Sequence, residues 1–108
     1  MSKGVGPLGN LMKQAQEHQE RLTRVQEEAA AKTVEASAGG GMVTVVINGR
    51  LQVTELRIEP DVMKGGDREM LQDLVTAAVN KGIRAAQDMM AEEMKKITGG
   101  LQIPGLTV

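Results

Sequence analysis

The chain has no phenylalanine, tryptophan, tyrosine or cysteine. Without cysteine there is no disulfide and no thiolate for metal, redox or nucleophilic chemistry. Without aromatics the largest blocks of buried surface are missing, and so are the platforms on which single-stranded nucleic acid stacks. Histidine occurs once, as His18, and the only serines are Ser2 and Ser37. No nucleophile therefore has a credible oriented base. No stretch approaches the roughly 20 apolar residues that span a bilayer. The Gly-rich stretch Met1 to Asn10 lacks the apolar run of a signal peptide. These absences argue against an enzyme, a metal site, a cofactor, a small-molecule substrate and a membrane partner, and give the cytoplasm as the expected location.

What remains is Leu, Val, Ile, Ala and eight Met in 108 residues, with 41% apolar and 25% charged positions. Those fractions suit one soluble globular domain. A core built from such small units is thin, so a homo-oligomer is expected. The formal net charge of −1 argues mildly against nucleic acid, whose readers are usually basic. The distribution says more. The first 16 residues hold Lys3 and Lys13 and no acid, and after Glu93 come Lys95 and Lys96 and no acid.

Residues 1–9 read as a flexible arm and Asn10 as an N-cap. Leu11, Ala15, His18, Leu22, Val25 and Ala29 follow at heptad spacing, which predicts a helix over 10–31, roughly 33 Å long. On its polar face Glu17 with Arg21, and Glu20 with Arg24, form i,i+4 pairs. The period then changes to two. Thr33 to Ala38 alternates as a half-buried strand, and Gly39 to Gly41 make a turn. Met42 to Asn48 places Val43, Val45 and Ile47 on one face. Asn48-Gly49 signals a type I′ hairpin, whose central residues both need positive φ. Leu51 to Ile58 reads as a third strand whose apolar phase slips, so a bulge is expected near Thr54 or Glu55. Pro60 opens a loop through Gly66. Asp67 caps a helix of about 31 residues, some 46 Å, which Gly99 and Gly100 stop. Its half bearing Met89, Met90 and Met94 overhangs strands only about 23 Å long. The fold class is α+β: helix, three-stranded antiparallel sheet, long helix.

Other groupings are weak. His18 reads as interfacial or partly exposed. Asp67, Glu69 and Asp73 read as a solvated helix start rather than a cation site. Gly39 to Gly41 lack the Lys-Ser/Thr sequel of a phosphate loop, and Gly4-Val5-Gly6 follows no strand.

A set of short motifs carries a resemblance. They are Asn10 to Gln16 (NLMKQAQ), Gly39 to Gly41 with Val43-Thr44-Val45, Ile47-Asn48-Gly49, Ile58-Glu59-Pro60, Met70 to Val75, Ala77-Ala78 with Asn80, and Ile97 to Gly100. In this order and spacing, over Asn10 to Pro104, the chain resembles the YbaB/EbfC family of bacterial nucleoid-associated proteins. The resemblance implies a homodimer with a β-sheet core and protruding helical arms. It also implies a cytoplasmic, nucleoid location and binding of double-stranded DNA with little or modest sequence preference. Effects on DNA conformation, nucleoid organisation and gene expression follow. One departure is the first helix, where three basic residues face four acidic ones.

Residues 1–9 are thus expected to be a flexible arm, 10–100 the dimerisation and DNA-binding domain, and 101–108 an irregular tail. Phosphate contacts are sought among cations on exposed helix faces: Lys13, Arg21, Arg24, Lys81, Arg84, Lys95 and Lys96. A solvated ion-pair face competes for Arg21 and Arg24, and complementing the helix dipole competes for Lys95 and Lys96. The alternative function is a dimeric protein-interaction module that docks partners through Met-rich helix ends.

Overall fold

The computed structural model describes residues 6–98. Its elements are α1 (Gly6–Ala31), β1 (Thr33–Ala38), β2 (Val43–Asn48), β3 (Val53–Ile58), α2 (Pro60–Lys64) and α3 (Arg68–Thr98). The strands form one antiparallel sheet in the order β1-β2-β3. The predicted α+β architecture is observed.

The core is one face of the sheet against α3. Val43, Val45 and Ile47 of β2 are fully buried, facing Ala78 and Ala86 of α3. Ala36 joins them from β1. With no aromatic side chain to fill a gap, the two layers must approach closely. Ala78, Gly82 and Ala86, four residues apart on α3, allow it. A Cβ on Gly82 would stand 2.7 Å from Ile47 Cδ1 and 2.8 Å from Val45 Cγ2.

The phase slip in β3 is resolved as expected. Val46 pairs with Glu55 and Ile47 with Val53, leaving Thr54 as the extra residue. The bulge returns Val53, Leu56 and Ile58 to the face carrying Ile47, Val45 and Val43. The opposite face is polar, and there Arg57 pairs with Glu35 of β1 across the sheet and with Glu55 two residues earlier on its own strand. Both carboxylates favour its charged form, the hydrogen bond to Glu35 most, and its pKa is raised further.

Four local expectations are corrected. Helix α1 starts at Gly6, so Asn10 lies inside it rather than capping it. Pro7 is compatible because its missing N–H falls among the unpaired amides of a first turn. Residues 1–5 of the expected arm, and the expected tail 101–108, lie outside the described residues. Pro60 likewise starts the short helix α2 instead of a plain loop. Strand β3 begins at Val53, not Leu51. The hairpin between β2 and β3 is not type I′, since its positive φ falls at Leu51 (φ 62°) and not at Asn48 or Gly49. The Asn48 side chain explains the change. Its Oδ1 accepts from the amides of Arg50 (2.9 Å) and Gln52 (3.1 Å), which pulls the turn one residue longer.

Asp67 caps α3 as the sequence indicates, its Oδ1 accepting from the Met70 amide at 2.9 Å. Helix α1 makes the molecule long. The radius of gyration is 22.0 Å, against about 13 Å for a compact domain of this length.

Candidate nucleic-acid interface

Helix α1 has a root and a free arm. At the root, the Gly49 amide donates to the carbonyls of Ala30 (2.9 Å) and Lys32 (3.1 Å). A Cβ on Gly49 would stand 2.8 Å from Ala30 Cα and 2.5 Å from Met90 Sδ. Glycine is required there by close approach, not by positive φ. Ala29 is buried beside this contact. Lys32 Nζ reaches Glu93 of α3 at 2.8 Å, and Lys96 Nζ reaches the same carboxylate at 2.9 Å. The hydrogen bond from Lys32, followed by that from Lys96, holds the Glu93 carboxyl below the usual glutamate range. Between the two helices lies a cleft of about 410 Å³, floored by Leu22, Val25, Ala29 and Ile97. The overhanging end of α3 is thus partly covered by the chain's own first helix.

Beyond the root, α1 stands away from the body. Side chains from Asn10 to Arg21 are exposed, His18 among them. Lys13 and Arg24 are 11 residues apart, which puts them on nearly the same side of the helix, about 16 Å apart along its axis. Arg21 turns toward the cleft and lines it. The i,i+4 pairs expected for Arg21 and Arg24 are not formed. Among the described residues, the cations in ion pairs are Lys32, Arg57, Lys64, Lys95 and Lys96. An exposed pair gains little and restrains two long side chains, so solvent competes well.

On α3, Lys81 and Arg84 are exposed. The Lys81 ammonium donates to the Ser37 carbonyl at 3.4 Å, and Arg84 has no carboxylate partner among the described residues. Lys95 and Lys96 are held differently, each against a glutamate three residues earlier: Glu92 at 3.3 Å and Glu93 at 2.9 Å. Among the described residues, the seven sequence candidates therefore divide into five without a carboxylate partner and two with one. Sequence reasoning passed over Arg50, exposed at the hairpin tip near the α1 root. Its position one residue past Asn48-Gly49 was the available signal.

Among the described residues, no group of three or more His, Cys, Asp or Glu is placed to hold a metal ion, and no helix is long and apolar enough to cross a membrane.

An exposed helical arm whose cations have no carboxylate partner among the described residues suits contact with phosphates. The model of the YbaB/EbfC DNA-binding family matches residues 5–101, and the chain belongs to that family. This is a DNA-binding family and not an enzyme family. A protein of Syntrophobacter fumaroxidans named nucleoid-associated protein is 54% identical over 108 residues, covering 100% of this chain and 94% of its own length. One of the same name from Acetivibrio thermocellus is 57% identical over 102 residues, covering 94% and 90%. Among solved structures, an uncharacterized protein of Helicobacter pylori superposes with a TM-score of 0.64 at 24% identity, covering 85% of this chain and 94% of the other. That likeness concerns the fold alone.

Proposed function

We propose that the protein is a nucleoid-associated protein that binds duplex DNA in the cytoplasm as a homodimer. Binding has little or modest sequence preference and changes DNA conformation, and through it nucleoid organisation and gene expression. The observation that carries this reading is the exposure of Lys13, Arg21 and Arg24 on α1, and of Lys81 and Arg84 on α3, without carboxylate partners, in a member of a DNA-binding family. Unpaired cations neutralise phosphates and release counterions on any sequence. Lys95 and Lys96 must first give up a glutamate, and contribute less.

The homodimer is supported by β3. Helix α3 covers β1 and β2, while Val53 and Leu56 lie on the core-side face of the sheet yet are 48% and 47% exposed. Among the described residues, one edge of β3 has no strand beside it in the order β1-β2-β3. An exposed edge with apolar side chains is completed by a second copy about a two-fold axis, which also doubles every cationic patch.

Fluorescence anisotropy of a labelled random duplex, titrated at several salt concentrations, tests the reading. Micromolar or tighter binding that falls steeply with salt is expected. Substituting Lys13, Arg21 and Arg24 by Ala lowers affinity on every sequence and flattens the salt slope, whereas substituting Lys95 and Lys96 does so less. Binding that is absent at low salt overturns the reading. Light scattering on the same sample gives a dimer mass, which Leu56→Asp reduces to a monomer.

A second reading, a dimeric module docking protein partners through Met-rich helix ends, is favoured by the exposure of Met12 on the arm. Partners that survive nuclease treatment of a lysate distinguish it.

A further inference from the structure

Three contacts hold the foot of the α1 arm, and one of them governs where the arm points. Ala29 is buried, and the Gly49 amide donates to the carbonyls of Ala30 and Lys32. These two contacts pin the end of the helix to the β2–β3 hairpin. One turn beyond Met90 on α3, the Lys32 side chain meets Glu93. Lys32 is the single residue between α1 and β1, so this tie acts at the joint itself. Further out the arm is not closely packed on α3. Leu22, Val25 and Ile97 line the cleft of about 410 Å³, and Val25 is 38% exposed. The distance along α1 from its end at Ala31 to Lys13 is about 27 Å. A swing of about 10° at the joint therefore carries Lys13 through about 5 Å, enough to break a hydrogen bond to a phosphate.

Glu93 is suited to such a tie. Its side chain is only 12% exposed. One carboxylate oxygen accepts from Lys32 at 2.8 Å and the other from Lys96 at 2.9 Å. Lys96, three residues further along α3, steadies the carboxylate from its own helix and leaves the first oxygen to the joint. An isolated exposed pair contributes little, but a network of several charges restrains its members. Arg21 and Glu28 also line the cleft and form no ion pair among the described residues. Glu92, the preceding residue, offers the contrast. It is 67% exposed and meets Lys95 of the same helix, which ties nothing to α1.

We infer that Glu93 is a positioning residue for DNA binding: through Lys32 it sets the direction of the α1 arm, and so the span at which the two arms of a dimer meet one duplex. The inference rests on the duplex-binding reading above. Charge alone predicts the reverse effect. Removing an acid lessens repulsion of phosphates, and neutralising Glu93 frees two lysines where neutralising Glu92 frees one. With Glu93 as the tie, its loss weakens binding in spite of that gain, because two sites engage together only where their geometry permits.

The test uses the full chain with Gln16→Cys on the arm and Gln72→Cys on α3. Both positions are exposed, and the chain has no other thiol. The two sites are labelled for energy transfer, and labelled chains are diluted into unlabelled protein so that transfer is read within one protomer. Transfer is read on free protein well below the melting temperature, and duplex binding by anisotropy on the same variants without labels. Glu93→Gln and Lys32→Met are expected to change the mean transfer or its spread, and to weaken binding by about threefold to tenfold. The double variant loses little more than either alone, because both cut one tie. Lys32→Arg, which can still reach Glu93, behaves as wild type. Glu92→Gln keeps the wild-type transfer and binds as tightly or more tightly. Glu93→Gln that binds more tightly, as Glu92→Gln does, overturns the inference. Unchanged transfer in Glu93→Gln also overturns it, even with a lower melting temperature, since a merely structural role lowers stability without redirecting the arm. Changed transfer with unchanged affinity overturns the role in binding. Absence of wild-type binding overturns the duplex reading beneath it, and the transfer, which needs no DNA, still decides whether Glu93 directs the arm.

Discussion

The root and the tip of α1 are written in the same code and meet different fates. Both place apolar residues at heptad spacing on one side of the helix. At the root, Ala29 is buried beside the β2–β3 hairpin, and Leu22 and Val25 line a cleft against α3. At the tip, Leu8, Leu11 and Met12 are exposed among the described residues. Periodicity specifies which face of a helix is apolar, but not whether a partner reaches it. The same contrast recurs in the sheet, where Val45 is fully buried and its neighbour on the same face, Leu56, is half exposed. In both cases the long helix α3 decides, because it lies over β1 and β2 and stops at the root of α1.

The comparison breaks most sharply at Gly49. Gly49→Ala forces a Cβ into Ala30 backbone and Met90, and is expected to lower stability by about 2–3 kcal/mol, read by chemical denaturation. The same change at Gly82 costs less. Its obstacles are the ends of Ile47 and Val45 side chains, and Ala in a helix interior returns about 1 kcal/mol.

Glu93→Gln comes next, because it removes the charge that Lys32 and Lys96 share at the root. Arg21 and Glu28 also face this cleft. The native Glu93 carboxyl titrates below its unfolded value. Its stabilisation is therefore present above the ordinary glutamate range and lost as pH falls through the lowered native value. Thermal melts are expected to show the variant below wild type at pH 7, the gap closing under acid conditions. A gap independent of pH would mean that packing, and not charge, holds the root.

Leu51→Asn sharpens the picture in the other direction. Leu51 sits at φ 62°, a region in which a branched side chain is strained and Asn is tolerated. A gain of about 0.5–1 kcal/mol is expected from relief of that strain, seen as a rise in Tm. The smallest effect belongs to the tip. The triple Gln variant of Leu8, Leu11 and Met12 is expected to change stability by less than about 0.5 kcal/mol, as exposed substitutions do. A large loss there would show that the tip, like the root, is packed in the assembled protein.

Much of the candidate site was legible in advance because cations announce themselves. Lys13, Arg21, Arg24, Lys81 and Arg84 were all named from helix faces and local charge. Their separation from Lys95 and Lys96 was not legible. Glu17 and Glu20 stand at the spacing that favours pairing with Arg21 and Arg24 and do not pair, while Glu92 and Glu93 do pair with the C-terminal lysines. Exposed pairs of this kind differ by a few tenths of a kcal/mol, too little for spacing to decide.

By itself the sequence determined the order of the two long helices and three strands, the faces of the strands, a bulge near Thr54 or Glu55 and the Asp67 cap of α3. These depend on periodicity and on turn and cap chemistry acting over a few residues. Only the tertiary structure decided the form of the β2–β3 turn, the clamp of Gly49 on Ala30 and the meeting of Lys32 with Glu93, 61 residues away. It also decided which parts of two continuous apolar stripes were left in solvent. Those outcomes depend on where one rigid element ends against another, a distance that short-range patterns do not encode.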